Sequence, residues 1–215
     1  MMAAGSPAGN RSIIYIDGFN LYHGALSNGP YKWLDLEAYF RRLRPHDDIQ
    51  IIRYFTARML GPKRVNQTTY LRALETLPLV QTVVGRFKAK EVTCRVAACR
   101  HPGPRVYRTF EEKRTDVNIA VTLLDDAYAG LCDRQIIISG DSDLVPAVAR
   151  VKTRFPDTTL IAYIPARNSL RGAAVELRSA VDRARTLPLQ LLPHSQFPAQ
   201  VPDGAGGVIQ KPAGW

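Results

Sequence analysis

Four aspartates in three separate segments carry the chemistry this sequence could perform. Asp17 ends the apolar run 12–17 (SIIYID) and opens Ile-Asp-Gly-Phe-Asn at 16 to 20. Asp141 and Asp143 follow a second apolar run, 134–139 (RQIIIS), within Ser-Gly-Asp-Ser-Asp at 139 to 143. Asp116 starts a helical stretch, 115–128, that precedes that second run. Carboxylates gathered in one cleft repel one another unless a cation neutralises them. Hard oxygen donors at this density suit Mg²⁺ or Mn²⁺, which keep bound waters for a phosphate substrate. The chemistry implied is metal-assisted phosphodiester hydrolysis without a covalent enzyme intermediate. A lone aspartate after a strand is usually a turn residue or a helix cap, and Asp116 and Asp141 each admit that reading. Delivery of acids to one place by three segments is what favours a metal site.

The elements that must position these residues follow from periodicity. Apolar, β-rich runs at 12–17, 49–57, 79–87, 134–139 and 158–164 predict buried strands. Between them, 34–43, 66–77, 115–128 and 142–154 have helical spacing, and 170–177 predicts a short helix. Thr115 is a suitable N-cap for its helix. Strands alternating with helices, each strand continuously apolar, imply an α/β domain with a parallel sheet covered on both faces. In such sheets the crevice lies outside the carboxyl ends of the strands. Asp17, Asp141 and Asp143 fall at strand ends. A right-handed crossover would return the N-terminal end of the Asp116 helix to the same edge.

The net charge of +10 is concentrated in one segment. Residues 53–114 hold fourteen Lys and Arg against four Glu, and the rest of the chain has fifteen of each sign. Such a surface suits a polyanion, though a merely solvated face has the same composition. Strand alternation sets Arg86 and Lys88 on one side, and with Lys90 they are candidate phosphate contacts. The segment 90–108 is irregular and basic, an insertion of about 90–110 with a loop or hairpin tip at Pro102-Gly103-Pro104. No run is long and apolar enough for a membrane span.

Three sequence segments resemble the motifs of NYN domains, which are PIN-like nucleases: Ile-Asp-Gly-Phe-Asn-Leu-Tyr at 16 to 22, Lys-Arg-Thr-Asp-Val-Asn-Ile-Ala at 113 to 120, and Ile-Ser-Gly-Asp-Ser-Asp-Leu-Val-Pro-Ala at 138 to 147. The resemblance runs from about Ser12 to Arg185. It implies a three-layer α/β/α fold with a mostly parallel central sheet and metal-dependent ribonuclease activity on RNA. By that resemblance Asp17, Asp116, Asp141 and Asp143 take the places of the acidic metal-site residues. Asn20 matches the first-motif Asn, which orients a ligand, contacts substrate or stabilises a turn. Lys113 is a candidate phosphate contact. Ser139 and Ser142 read slightly better as turn residues than as partners of the carboxylates.

Competing readings are a non-catalytic RNA-binding module on the same scaffold and a phosphoesterase acting on small nucleotides. Phe19, two residues after Asp17, disfavours an aspartyl phosphotransferase, which would place an Asp there. Cys94, Cys99 and His101 offer three soft ligands where a structural zinc needs four, so they default to loop residues. With no recognisable secretion signal, the three cysteines read as free thiols and the location as cytoplasmic. Residues 1–11 read as a disordered leader, 12–187 as the nuclease domain, and the Pro/Gly-rich 188–215 as a largely disordered tail. Self-association is left open, and no protein partner is indicated.

Overall fold

The computed structural model describes residues 10–61, 63–165 and 174–215. In chain order these form β1 (Arg11–Asp17), α1 (Gly18–Leu21), a π-helical turn (Tyr22–Leu26), α2 (Leu36–Leu43), β2 (Asp48–Ala57), α3 (Lys63–Leu74), β3 (Val80–Thr93), β4 (Val106–Lys113) and α4 (Thr115–Tyr128). Then follow β5 (Arg134–Ile138), a 3-10 turn (Ser142–Leu144), α5 (Val145–Arg154), β6 (Thr159–Ile164), α6 (Ala174–Ala180), β7 (Arg183–Thr186), a second 3-10 turn (Leu189–His194), β8 (Gln200–Pro202) and β9 (Val208–Gln210).

The central sheet has seven strands in the order β4-β3-β2-β1-β5-β6-β7. Every neighbouring pair is parallel except β3 and β4. In β1 the pleat sends Ile14 and Ile16 to one face and Ile13 and Tyr15 to the other, and all four are fully buried. Two apolar layers result, one for each side of a strand with period-two side chains. The first packs Leu36, Tyr39 and Phe40 of α2 and Tyr70, Leu71 and Leu74 of α3 against the sheet. The second packs Ile119 and Leu123 of α4, Val148 and Val151 of α5 and Leu177 of α6. The fold is thus a three-layer α/β/α sandwich with a mostly parallel central sheet.

Several expectations need correction. The basic insertion is not irregular through 90–108. β3 continues to Thr93, and β4 returns antiparallel to it from Val106, in register from Arg86↔Lys113 to Thr93↔Val106. Polar strands exposed on both faces lack the apolar alternation that marks a half-buried strand. The carboxyl-terminal segment 188–215 is not disordered. Leu192, Phe197, Val201 and Ile209 are buried in the first apolar layer, and Trp215 packs on it. Trp33 Nε1 donates to Pro198 O at 2.8 Å, Phe197 N to Trp33 O at 3.0 Å, and Tyr39 Oη to Pro188 O at 3.0 Å. Four apolar anchors and these hydrogen bonds outweigh the ordering entropy that the proline and glycine content suggested.

Arg114, not Thr115, is the N-cap of α4, and its φ of 84° is left-handed. Thr115 instead donates its hydroxyl back to Glu112 Oε1. The helix expected over 170–177 runs Ala174–Ala180, with 170–173 outside the described residues. The proposed leader likewise lies outside them, except for Asn10 and Arg11, the latter opening β1.

Candidate metal centre

The register between β1 and β5 builds the site. Ile16 pairs with Ile138 in adjacent parallel strands, so the residues that follow, Asp17 and Ser139, emerge side by side at the carboxyl edge. Asp17 turns the chain into α1: its Oδ1 accepts from Phe19 N at 3.1 Å and Asn20 N at 2.9 Å. Its Oδ2 accepts from Asn20 Nδ2 at 2.6 Å and from Ser139 Oγ at 3.1 Å. The carboxylate is buried, and burial pushes its pKa up; the charge of Asp141 adds to this, while the hydrogen bonds from Asn20 and Ser139 oppose it.

Asn20 and Ser139 tie the first and third motifs together. Asn20 Oδ1 accepts from Gly140 N at 3.2 Å, so both ends of its amide are engaged within the protein. Ser139, fully buried, donates to Asp17 and accepts from Asp141 N at 3.1 Å. Its role is therefore more than that of a turn residue, and only the strand register reveals it. Asp141 caps the 3-10 turn, one oxygen accepting from Asp143 N at 3.0 Å.

Asp116 arrives by a route different from the one expected. The strand before α4 is antiparallel, so the β3–β4 hairpin itself carries the chain back to the carboxyl edge, and left-handed Arg114 turns it into α4. Asp116 lies in the first turn, at the positive end of that helix. Even so, its pKa is pushed up to about 6, first by burial, then by the charges of Asp141 and Asp17, with Glu112 and Asp143 contributing. Among the described residues no group donates a hydrogen bond to it. One oxygen from each of Asp17, Asp116 and Asp141 lies within 4.8 Å of the others. Three hard, anionic donors in that space match the oxygen-ligand preference of Mg²⁺ or Mn²⁺.

Not every candidate joins the cluster. Asp143 is exposed and stands outside the three-carboxylate group, acting on Asp116 through its charge. Arg86, Lys88 and Lys90 are exposed on one face of β3, and Lys113 sits directly across from Arg86. The opposite face carries Phe87, whose ring meets Phe19 edge-on at 5.7 Å, and its cross-strand neighbour Glu112. The basic row thus lies on the face of the hairpin opposite Phe87 and Glu112. Sequence reasoning missed Glu112, because a glutamate in a charged strand has no local mark of proximity to a cleft. Cys94, Cys99 and His101 do not gather into a metal-binding group, and His101 Nδ1 accepts from Gly103 N at 3.0 Å.

A cavity of about 150 Å³ is lined by Gly18 and Phe19, the two residues that follow Asp17. Its walls include Phe19, Tyr22, Tyr54, Met59, Tyr70 and Trp215, with Lys32 and Asn66 as polar lining. Gly18 packs tightly on β2: a Cβ there would lie 2.7 Å from Phe55 O and 2.8 Å from the Tyr54 ring. No local pattern signals this cavity, since its walls come from α1, β2, α3 and the carboxyl terminus.

Over 198 residues the chain is 29% identical to 6-hydroxy-3-succinoylpyridine 3-monooxygenase HspA of Pseudomonas putida (strain DSM 28022 / S16), covering 78% of this chain and 63% of that protein. The chain thus spans less than two thirds of that relative's length. In fold it is similar to the crystal structure of VPA0982, a protein of unknown function from Vibrio parahaemolyticus RIMD 2210633. That likeness has a TM-score of 0.57 at 16% identity and covers 86% of this chain and 97% of that one. The NYN domain model matches residues 11–188, the stretch that holds all three acidic motifs and the sheet that brings them together, and the chain belongs to the NYN domain family.

Proposed function

We propose that this protein is a ribonuclease that hydrolyses RNA phosphodiester bonds with Mg²⁺ or Mn²⁺ held by Asp17, Asp116 and Asp141. The observation that carries the reading is the convergence of three carboxylate oxygens within 4.8 Å at the carboxyl edge of the sheet. Asp17, Asp116 and Asp141 would hold the cation, which would acidify a bound water and offset charge on the phosphodiester. Asn20 and Ser139 are positioning residues that hold Asp17 at a fixed angle, and Asp143 adds negative charge at the rim. Arg86, Lys88, Lys90 and Lys113 form the phosphate-binding row along the hairpin. The three free cysteines favour a reducing compartment, the cytoplasm. No helix among the described residues is long and apolar enough to cross a membrane. The test is Mn²⁺-dependent cleavage of a panel of single-stranded and structured RNAs, beside Asp141→Asn. Loss of cleavage by orders of magnitude in that variant supports the assignment, and wild-type cleavage by it refutes it.

A second reading is chemistry on a small hydroxylated pyridine ring, as the name of the HspA relative describes for that protein. The ring-sized aromatic cavity lined by Gly18 and Phe19 favours it. Incubation with 6-hydroxy-3-succinoylpyridine and a reductant in air tests it: pyridine-dependent oxygen uptake supports this reading, and its absence alongside RNA cleavage dismisses it.

A further inference from the structure

Resting on the ribonuclease reading above, we infer that the aromatic cavity at Gly18 seats one unstacked pyrimidine base of the RNA, from the nucleotide adjoining the phosphodiester at the carboxylates. Three features converge on this occupant. The first is size: a cavity of about 150 Å³ accepts a single aromatic ring. The second is the chemistry of the walls. Tyr22, Tyr54, Tyr70 and Trp215 present aromatic surface, and single-stranded nucleic acid is held by bases stacking on such rings.

These walls are built before any ligand arrives. Tyr70 Oη donates to Leu34 O at 2.8 Å, and Tyr70 and Trp215 pack with ring centroids 5.8 Å apart. Gln67 commits its amide to Met59 N at 2.6 Å and Ala57 O at 2.9 Å. Asn66 differs: its side-chain amide is engaged by no described residue, and it offers both a donor and an acceptor to the edge of a pyrimidine. Lys32, also in the lining, supplies a cation for a flanking phosphate.

The third feature is continuity with the metal centre. Gly18 and Phe19 follow Asp17 directly and line the cavity, so a base seated there leaves its sugar-phosphate beside the three carboxylates. The close approach of Gly18 to the Tyr54 ring leaves no room for a side chain at this position, so the backbone after Asp17 runs directly along the cavity wall.

The test uses the full chain and a single-stranded RNA cut at a known position. An abasic nucleotide is moved one position at a time through the substrate, and Mn²⁺-dependent cleavage is followed. In parallel, a fluorescent pyrimidine analogue is placed at each position and its emission read on binding without metal. One abasic position adjoining the cut should slow cleavage about ten- to a hundredfold, the range that stacking of one base supplies. The analogue at that position alone should be quenched severalfold. Asn66→Ala should erase a preference for pyrimidine over purine at that position. Uniform cleavage at every abasic position, together with no position-specific quenching, overturns the base pocket while leaving the nuclease reading intact. Quenching at one position with cleavage equally fast at every abasic position shows a base site away from the scissile bond and overturns the placement beside the carboxylates.

Discussion

Replacing Asp116 by Asn removes one of three carboxylates whose charges oppose one another. The Asp116 carboxyl is raised from an ordinary 3.8 to about 6, by burial first and then by Asp141 and Asp17. Between about pH 4 and 6 the folded protein therefore keeps a proton that the unfolded chain has released. Stability at this site is highest in acid and is lost as pH rises through about 6. A shift of that size corresponds to about 3 kcal/mol when undamped. The carboxylate is half-exposed, and solvent screening leaves on the order of 1 kcal/mol. Asp116→Asn should then stabilise the metal-free protein at pH 8 by roughly 1 kcal/mol, about 2–4 °C in Tm for a domain of this size. At pH 4 the two proteins should melt together. Saturating Mn²⁺ should invert the order, since a ligand at a hundred times its Kd adds about 2.7 kcal/mol and the variant has one donor fewer. Thermal unfolding at both pH values, in EDTA and in Mn²⁺, measures all of this. A destabilised variant in EDTA at pH 8, or a wild-type Tm indifferent to Mn²⁺, would refute the reasoning.

Arg53→Ala should cost about 3–5 kcal/mol in a denaturant titration, because Arg53 Nη2 lies 2.7 Å from Asp126 and its loss leaves a carboxylate only 2% exposed without its cation, with the Tyr15 hydroxyl as its remaining donor. Removing residues 196–215 should lower the Tm by ten degrees or more, roughly, or abolish folding, since Phe197, Val201 and Ile209 each bury a side chain worth about 1.5–3 kcal/mol; an unchanged Tm would show that the segment does not pack. Charge reversal of Arg86, Lys88 and Lys90 together should weaken RNA binding across sequences and reduce the slope of log Kd against log salt by roughly 2 for a single strand; an unaltered slope would return the row to a solvated face. Gly24→Ala should be strongly destabilising in thermal melts, because the added Cβ would lie 1.6 Å from Pro165 O.

Much of the fold is legible in local sequence. The five apolar runs mark β1, β2, β3, β5 and β6; in β1, β5 and β6 this is because a strand covered on both faces must be apolar nearly throughout. The helix 115–128 and the strand-end positions of Asp17 and Asp141 follow from spacing alone. The parallel sheet then requires those two aspartates to share an edge. What the sequence could not decide depends on contacts between distant segments. Nothing local says that Pro198 lies under Trp33, 165 residues earlier, or that Trp215 closes a cavity against Tyr70. The composition of 188–215 describes the entropy of a free chain, whereas its order comes from the apolar surface that β1, α2 and α3 present to it. The same holds within the site. Asp143 is one turn residue beyond Asp141 and reads as its equal, yet the 3-10 turn points it into solvent. Ser139 and Glu112 read as bystanders, yet strand register and the hairpin bring them to the carboxylates. Residue type and spacing thus determined which acids could meet; only the packed structure decided that Asp17, Asp116 and Asp141 do meet, because three-dimensional proximity is set by burial across the whole chain and not by neighbours in it.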